Sequence, residues 1–181
     1  YQLSELLKYP ALSQNARLLE ITRELSQELN LDRLLDQLAE YALEITGAQR
    51  GLVLLYEETG EVRVHAARWK AKDLDSDLGF RISRTIADRV HKEGRPIAIT
   101  DALSESDLSA QQSIMSMGLR AIMCVPLKAR DQRIGILYVD SLQPNLTYDE
   151  ADLAVLETLA GQAAVTYRVA RFWLANDYLL P

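Results

Sequence analysis

Across 181 residues there is one cysteine, with two histidines and two phenylalanines. With Cys124 alone, an intramolecular disulfide is excluded, and so is a metal site built on two thiolates. A reducing, cytoplasmic setting is the expectation that follows. No apolar run approaches the roughly 18 residues that span a bilayer, and no basic start followed by an apolar stretch marks a signal peptide. Basic residues are the scarcer charge, 20 Lys and Arg against 26 Asp and Glu, for a net charge of −6. Proteins that hold nucleic acid by its phosphates usually carry the opposite balance. Neither nucleic acid nor a membrane is therefore an expected partner. Acid–base pairs, phosphate loops and nucleophile motifs are also missing, so no catalytic residue, metal or cofactor is expected.

What is present suits a folded domain. Hydrophobic residues make up 48% of the chain and charged residues 25%, near globular averages. The length fits one domain with terminal helices. The first residue is Tyr1, not Met, and the expectation is a piece of a longer protein: a lead-in at 1–12, a domain at 13–171, and an extension at 172–181 towards an effector domain.

Leu3 to Tyr9 is short and amphipathic, and Pro10 is read as its end. From Ala11 to Leu29 the apolar positions Leu18, Ile21, Leu25 and Leu29 fall at helical spacing. Asn30 can cap a second helix carrying Leu34, Leu35, Leu38, Ala42 and Ile45, with Gly47 as its stop. The period then shortens. GLVLLY (51–56) reads as a buried strand, EETG (57–60) as a turn, and 62–67 as an alternating strand, which together make a hairpin. Lys70 to Phe80 is a polar loop. Ser83 or Thr85 can start a short helix that ends at Gly94, followed by an extended run at 97–99 and a Ser-rich stretch with one weak helix. Two apolar runs, 119–127 and 134–139, flank a turn at Lys128–Arg133 and form a second hairpin. Thr147 to Glu150 has capping-box spacing and opens a long helix. The class is α+β, a central antiparallel sheet with helices on its faces. A helix of about 28 residues spans roughly 42 Å, more than such a sheet covers. Its surplus apolar face calls for a second copy. Leu18, Leu25, Leu156, Leu159, Ala163, Tyr167 and Ala170 are the expected seam of that homodimer.

Five pieces in order carry a family resemblance: residues 29–61, SRTIADRVHKEGRPIAITDA (83–102), LRAIMCVPLKARDQRIGILYVDS (119–141), LTYDEADL (146–153) and LAVLETLAGQAAVTYRVAR (153–171). Together they resemble a GAF domain over roughly Ser13 to Arg171. The resemblance implies a sensory or regulatory module. Short helices would cover one face of the sheet, with a small-molecule pocket between that face and residues of about 74–118. The N- and C-terminal helices would lie on the other face, form the dimer and pass a signal to a covalently linked effector. The 83–102 stretch is most similar to GAF domains of bacterial transcriptional activators and of related signalling kinases and cyclases.

Candidate site residues follow from the chemistry of that region. Ser83 and Thr85 start a helix whose free amides favour an anion, and Arg81 and Arg84 add positive charge. Met115, Met117 and Tyr138 can line an adaptable apolar wall. Cys124 sits in an apolar strand and reads as core. His65 and His91 read as solvated, and Asp73, Asp75 and Asp77 as a charged loop whose spacing departs from a calcium loop. The Asn-Lys-Phe-Asp-Glu set of cyclic-nucleotide-binding GAF domains cannot be assembled, because Phe80 is followed by Arg81 and no Asn-Lys pair occurs. Three readings stay open: a sensor of another small molecule, a dimerisation scaffold whose pocket is filled, and a cyclic-nucleotide sensor without that residue set.

Overall fold

The computed structural model describes residues 10–70, 81–100, 108–143 and 146–177. In chain order these form α1 (Pro10–Gln27), α2 (Leu31–Thr46), β1 (Arg50–Tyr56), β2 (Val62–Trp69), α3 (Arg84–Glu93), β3 (Ile97–Ile99), α4 (Leu108–Ser116), β4 (Ala121–Ala129), β5 (Gln132–Ser141) and α5 (Glu150–Asp177). The expected segment at 3–9, the loop with Asp73, Asp75 and Asp77, and the Ser-rich stretch at 102–107 lie outside the described residues.

Local signals set most helix ends. The Asn30 side chain accepts from the Arg33 amide at 3.0 Å, which caps α2, and Gly47 closes it. Pro10 opens α1; in the first turn its missing N–H removes no helical hydrogen bond. The α1 helix stops at Gln27, two residues before Leu29. The α5 helix begins two residues later than the Thr147–Glu150 reading. Asp149 accepts from the Asp152 amide at 2.8 Å, and Asp152 accepts from the Asp149 amide at 3.0 Å. This reciprocal box puts two carboxylates at the positive end of the helix dipole.

The sheet order is β2-β1-β5-β4-β3, and every neighbouring pair is antiparallel. Both expected hairpins form, and β1 pairs with β5 to join them into one sheet. The second hairpin is longer than its apolar runs. Its ladder reaches Ala129 and Gln132, which reduces the turn to Arg130 and Asp131. Where β5 crosses β1, the backbones stand so close that a Cβ on Gly135 would meet the Leu54 carbonyl oxygen at 1.9 Å.

Strand periodicity sorts side chains to two faces. Val53, Leu55, Met123, Val125, Leu137 and Val139 belong to a core shared with α1, α2 and α5. Leu52, Leu54, Ile122, Cys124, Ile136 and Tyr138 belong to a second core with α3 and the end of α4. Of the residues expected at a dimer seam, all but Ala170 go into or against the first of these cores, and Ala170 is buried too. Leu25, Leu156 and Leu159 are 0% exposed and Ala163 and Ala170 1%, while Leu18 and Tyr167 pack half-buried against the same cluster. The alanines of α5 explain this correction: small side chains let the helix lie close on its own strands, so the stripe is covered within one chain. The outward stripe of α5 is a different one. Ala154, Thr158, Gly161, Val165, Val169 and Phe172 follow each other at spacings of three and four, and Val165, Val169 and Phe172 are 49%, 45% and 63% exposed.

Candidate functional site

The face under α3 is assembled from the sheet outward. Leu52, Ile122, Cys124, Ile136 and Tyr138 form its floor and are fully buried. Above them, α3 presents Ile86, Ala87 and Val90, one apolar stripe at helical spacing. The Ser83 side chain accepts from the Ile86 amide at 3.4 Å and starts the helix. Gly94 ends it with φ 66°, a conformation that suits glycine, while its amide bonds to the Val90 carbonyl. Ile114, Met117 and Leu119, from α4 and the residues after it, complete the cover.

Within this apolar floor lies a charged pair. Arg50 at the start of β1 stands opposite Asp140 near the end of β5. The guanidinium donates through two nitrogens to the two carboxylate oxygens, with Nε to Oδ1 at 3.0 Å. The two side chains are 1% and 2% exposed. Burial lifts the Asp140 carboxyl above its ordinary range against the pull of Arg50. Tyr138, two residues from Asp140 on the same side of β5, is buried beside the pair, and its phenol is pushed well up by burial and by the Asp140 charge.

A second polar cluster lies at the C-terminal half of α3. His91 stacks on Tyr56 with ring centroids 3.8 Å apart, and the Tyr56 hydroxyl donates to Asp88 at 2.8 Å. Burial first, and the Arg133 charge second, hold His91 below the usual imidazole range. Its expected solvated position is therefore corrected: the ring is half-buried and Nδ1 has no hydrogen-bond partner among the described residues. His65 is exposed on β2, and Cys124 is a buried thiol whose pKa is raised by desolvation.

The seven residues expected to line a ligand are divided. Ser83, Met117 and Tyr138 are buried on this face, and Thr85 is half-buried. Arg81 is exposed. Arg84 points outward and lies 3.7 Å from Asp88 one turn on. Met115 is 56% exposed, because its neighbour Ile114 takes the inward position on α4. The sequence reading missed Arg50 and Asp140 by one residue each, since it began the first strand at Gly51 and closed the last at Val139. A charge flanking each of two apolar runs was the available signal.

An antiparallel sheet with a charged pair in one apolar face and long helices on the other makes this an α+β domain. A family model for the GAF domain matches residues 30–167, and the chain belongs to that family. Its fold is similar to the phycoerythrobilin-bound GAF domain of a cyanobacterial phytochrome, at 19% identity and a TM-score of 0.71 over 88% of this chain and 96% of that one. It is also similar to the GAF domain of the cyanobacteriochrome TePixJ, at 18% identity and 0.65 over 82% and 95%. A third similar structure is the GAF domain/HD domain protein of Geobacter sulfurreducens, at 14% identity and 0.64 over 82% and 98%. No curated protein sequence matches the chain. Among the described residues no helix is long and apolar enough to cross a membrane.

Proposed function

We propose that this chain is the non-enzymatic regulatory module of a larger bacterial signalling or transcription-regulatory protein. It takes a small molecule on the α3 face and relays its presence through a dimeric α5 to a linked effector. One observation carries the ligand reading: the buried Arg50–Asp140 pair beside Tyr138. Buried ion pairs are commonly no more stabilising than apolar side chains of similar volume, so folding alone gives little reason to keep one there. A few polar groups set in an apolar wall are what a binding site needs. The similar phytochrome structure holds a bilin. A covalent bilin does not suit this chain, whose one cysteine is buried in β4.

The dimer rests on the outward stripe of α5, whose Val165, Val169 and Phe172 are exposed. Val165→Glu with Phe172→Glu should give monomers in sedimentation velocity that still melt cooperatively, at a temperature lowered by the lost subunit contact. Persistent dimers would place the contact elsewhere. Thermal shift against a metabolite panel that includes cyclic nucleotides tests the ligand. A rise of several degrees that is lost in Arg50→Met with Asp140→Leu supports the sensor. The rival reading, a dimerisation scaffold with a filled face, is favoured by the full burial of Leu52, Ile122 and Ile136 under the chain's own side chains. It becomes the conclusion if no compound shifts the melting of an intact dimer.

A further inference from the structure

The turn between β4 and β5 touches both layers of the molecule. The ladder shifts between Leu127 and Lys128, so that Lys128 stands opposite Arg133 and Ile134 is the extra residue. Such a bulge twists the strand and re-aims its side chains. Two cations directly opposite each other on a sheet repel. Here they converge on the C-terminus of α3. Lys128 Nζ donates to the Gly94 carbonyl at 2.9 Å. Arg133 donates to the Lys92 carbonyl and, at 3.4 Å, to that of His91. Carbonyls in this position are left without helical partners and sit at the negative end of the helix dipole. The fit is close, since a Cβ on Gly94 would lie 3.2 Å from Arg133 Nε.

The other side of the same turn is held by α5. Ala129 and Ile134 join the core beneath that helix, and Arg168 donates to the Ala129 carbonyl at 3.4 Å. Ala129 and Arg130 also line a groove of about 380 Å³ with Val165, Val169 and Phe172, the outward stripe of α5. The turn is two residues long, with Arg130 at φ 54°, which leaves little slack between its two attachments.

We propose that this turn couples α3 to α5: Lys128 and Arg133 hold the end of α3, and a displacement of α3 changes how the last third of α5 is seated. The proposal rests on the reading that the α3 face receives the ligand and α5 carries the output. Adjacency is not coupling, so the test must measure energetic communication. It uses amide hydrogen exchange on the 181-residue chain without ligand, in Lys128→Met, Arg133→Met and the double variant. Exchange should become about fivefold faster both in residues 88–94 and in residues 165–177, and stay at the native rate in 31–46 and 150–160. In the converse experiment, Arg168→Met should speed exchange in 88–94. Arg63→Met on the other hairpin should change neither segment. Fraying of α3 with native rates in 165–177 would overturn the proposal, as would a uniform rise everywhere. If the double variant unfolds, Arg168→Met decides alone: native exchange in 88–94 refutes the coupling. A positive ligand screen with unchanged α5 exchange would remove the turn and keep the sensor. A negative screen with coupled exchange would do the reverse.

Discussion

On the side of α1, α2 and α5 the strands β1, β2, β4 and β5 bury mainly aliphatic side chains and alanines, and the helices' own buried polar groups are modest. Thr46 and Thr166 donate to carbonyls one turn back in their own helices, at 2.6 and 3.1 Å. On the side of α3 the same strands bury a full ion pair, a tyrosine and a thiol, and the covering helix is tied down by cations and an aromatic stack. Hydrocarbon burial accounts for most of the first face, at about 1.5–3 kcal/mol for each large side chain taken from water, although the Tyr148 phenol is buried there with no hydrogen-bond partner among the described residues. The second face keeps groups whose desolvation must be offset by their partners. The contrast separates a face that coheres through hydrocarbon from one that holds buried charge at some cost to cohesion.

The strongest way to break this comparison is to remove half of the pair. Arg50→Met should destabilise the fold by about 3–5 kcal/mol in urea unfolding, because Asp140 is left buried and unpaired. Adding Asp140→Leu should restore most of that loss. If the double variant is as unstable as the single one, the pair holds the fold together and the contrast disappears. On the apolar face, Leu156→Ala should cost about 3 kcal/mol through a cavity, with the same value at pH 5.5 and 7.5. The smallest effect concerns His91. Its neutral form is favoured in the fold, whereas the unfolded chain takes up a proton near the ordinary value of 6.5. Stability from this group is therefore complete above pH 6.5 and is lost as the pH falls through the lower folded value. His91→Gln should flatten that slope in melts at stepped pH, and parallel curves would show that His91 is not held neutral.

Much of the architecture could be read from local pattern. Asn30 and Gly47 bracket α2, Ser83 and Gly94 bracket α3, and the change from helical to strand period marks both hairpins. The 28 residues of α5 agree with the length read from its composition. What escaped depends on partners distant in the chain. Arg50 and Asp140 are 90 residues apart, and a charge beside an apolar run looks like a strand end until the other strand brings its counterion. The orientation of α5 escaped for a related reason. A stripe of Leu and Ala shows that something covers it, and only the close seat on β4 shows that the cover belongs to the same chain. The stack of His91 on Tyr56 and the grip of Lys128 and Arg133 on α3 need tertiary geometry that no local spacing encodes. The same holds for the ligand-lining set, of which Arg84 and Met115 turned outward.

Gly135 has a consequence for how the two hairpins meet. It is the only glycine in β5, and the place it occupies excludes any side chain. Sliding β5 by one position would drive the branched carbon of Ile134 or Ile136 into a peptide oxygen, and would also turn the strand inside out. The sheet's central seam thus works like a keyed joint: in this alignment position 135 admits only glycine, and it is the alignment in which Arg50 meets Asp140.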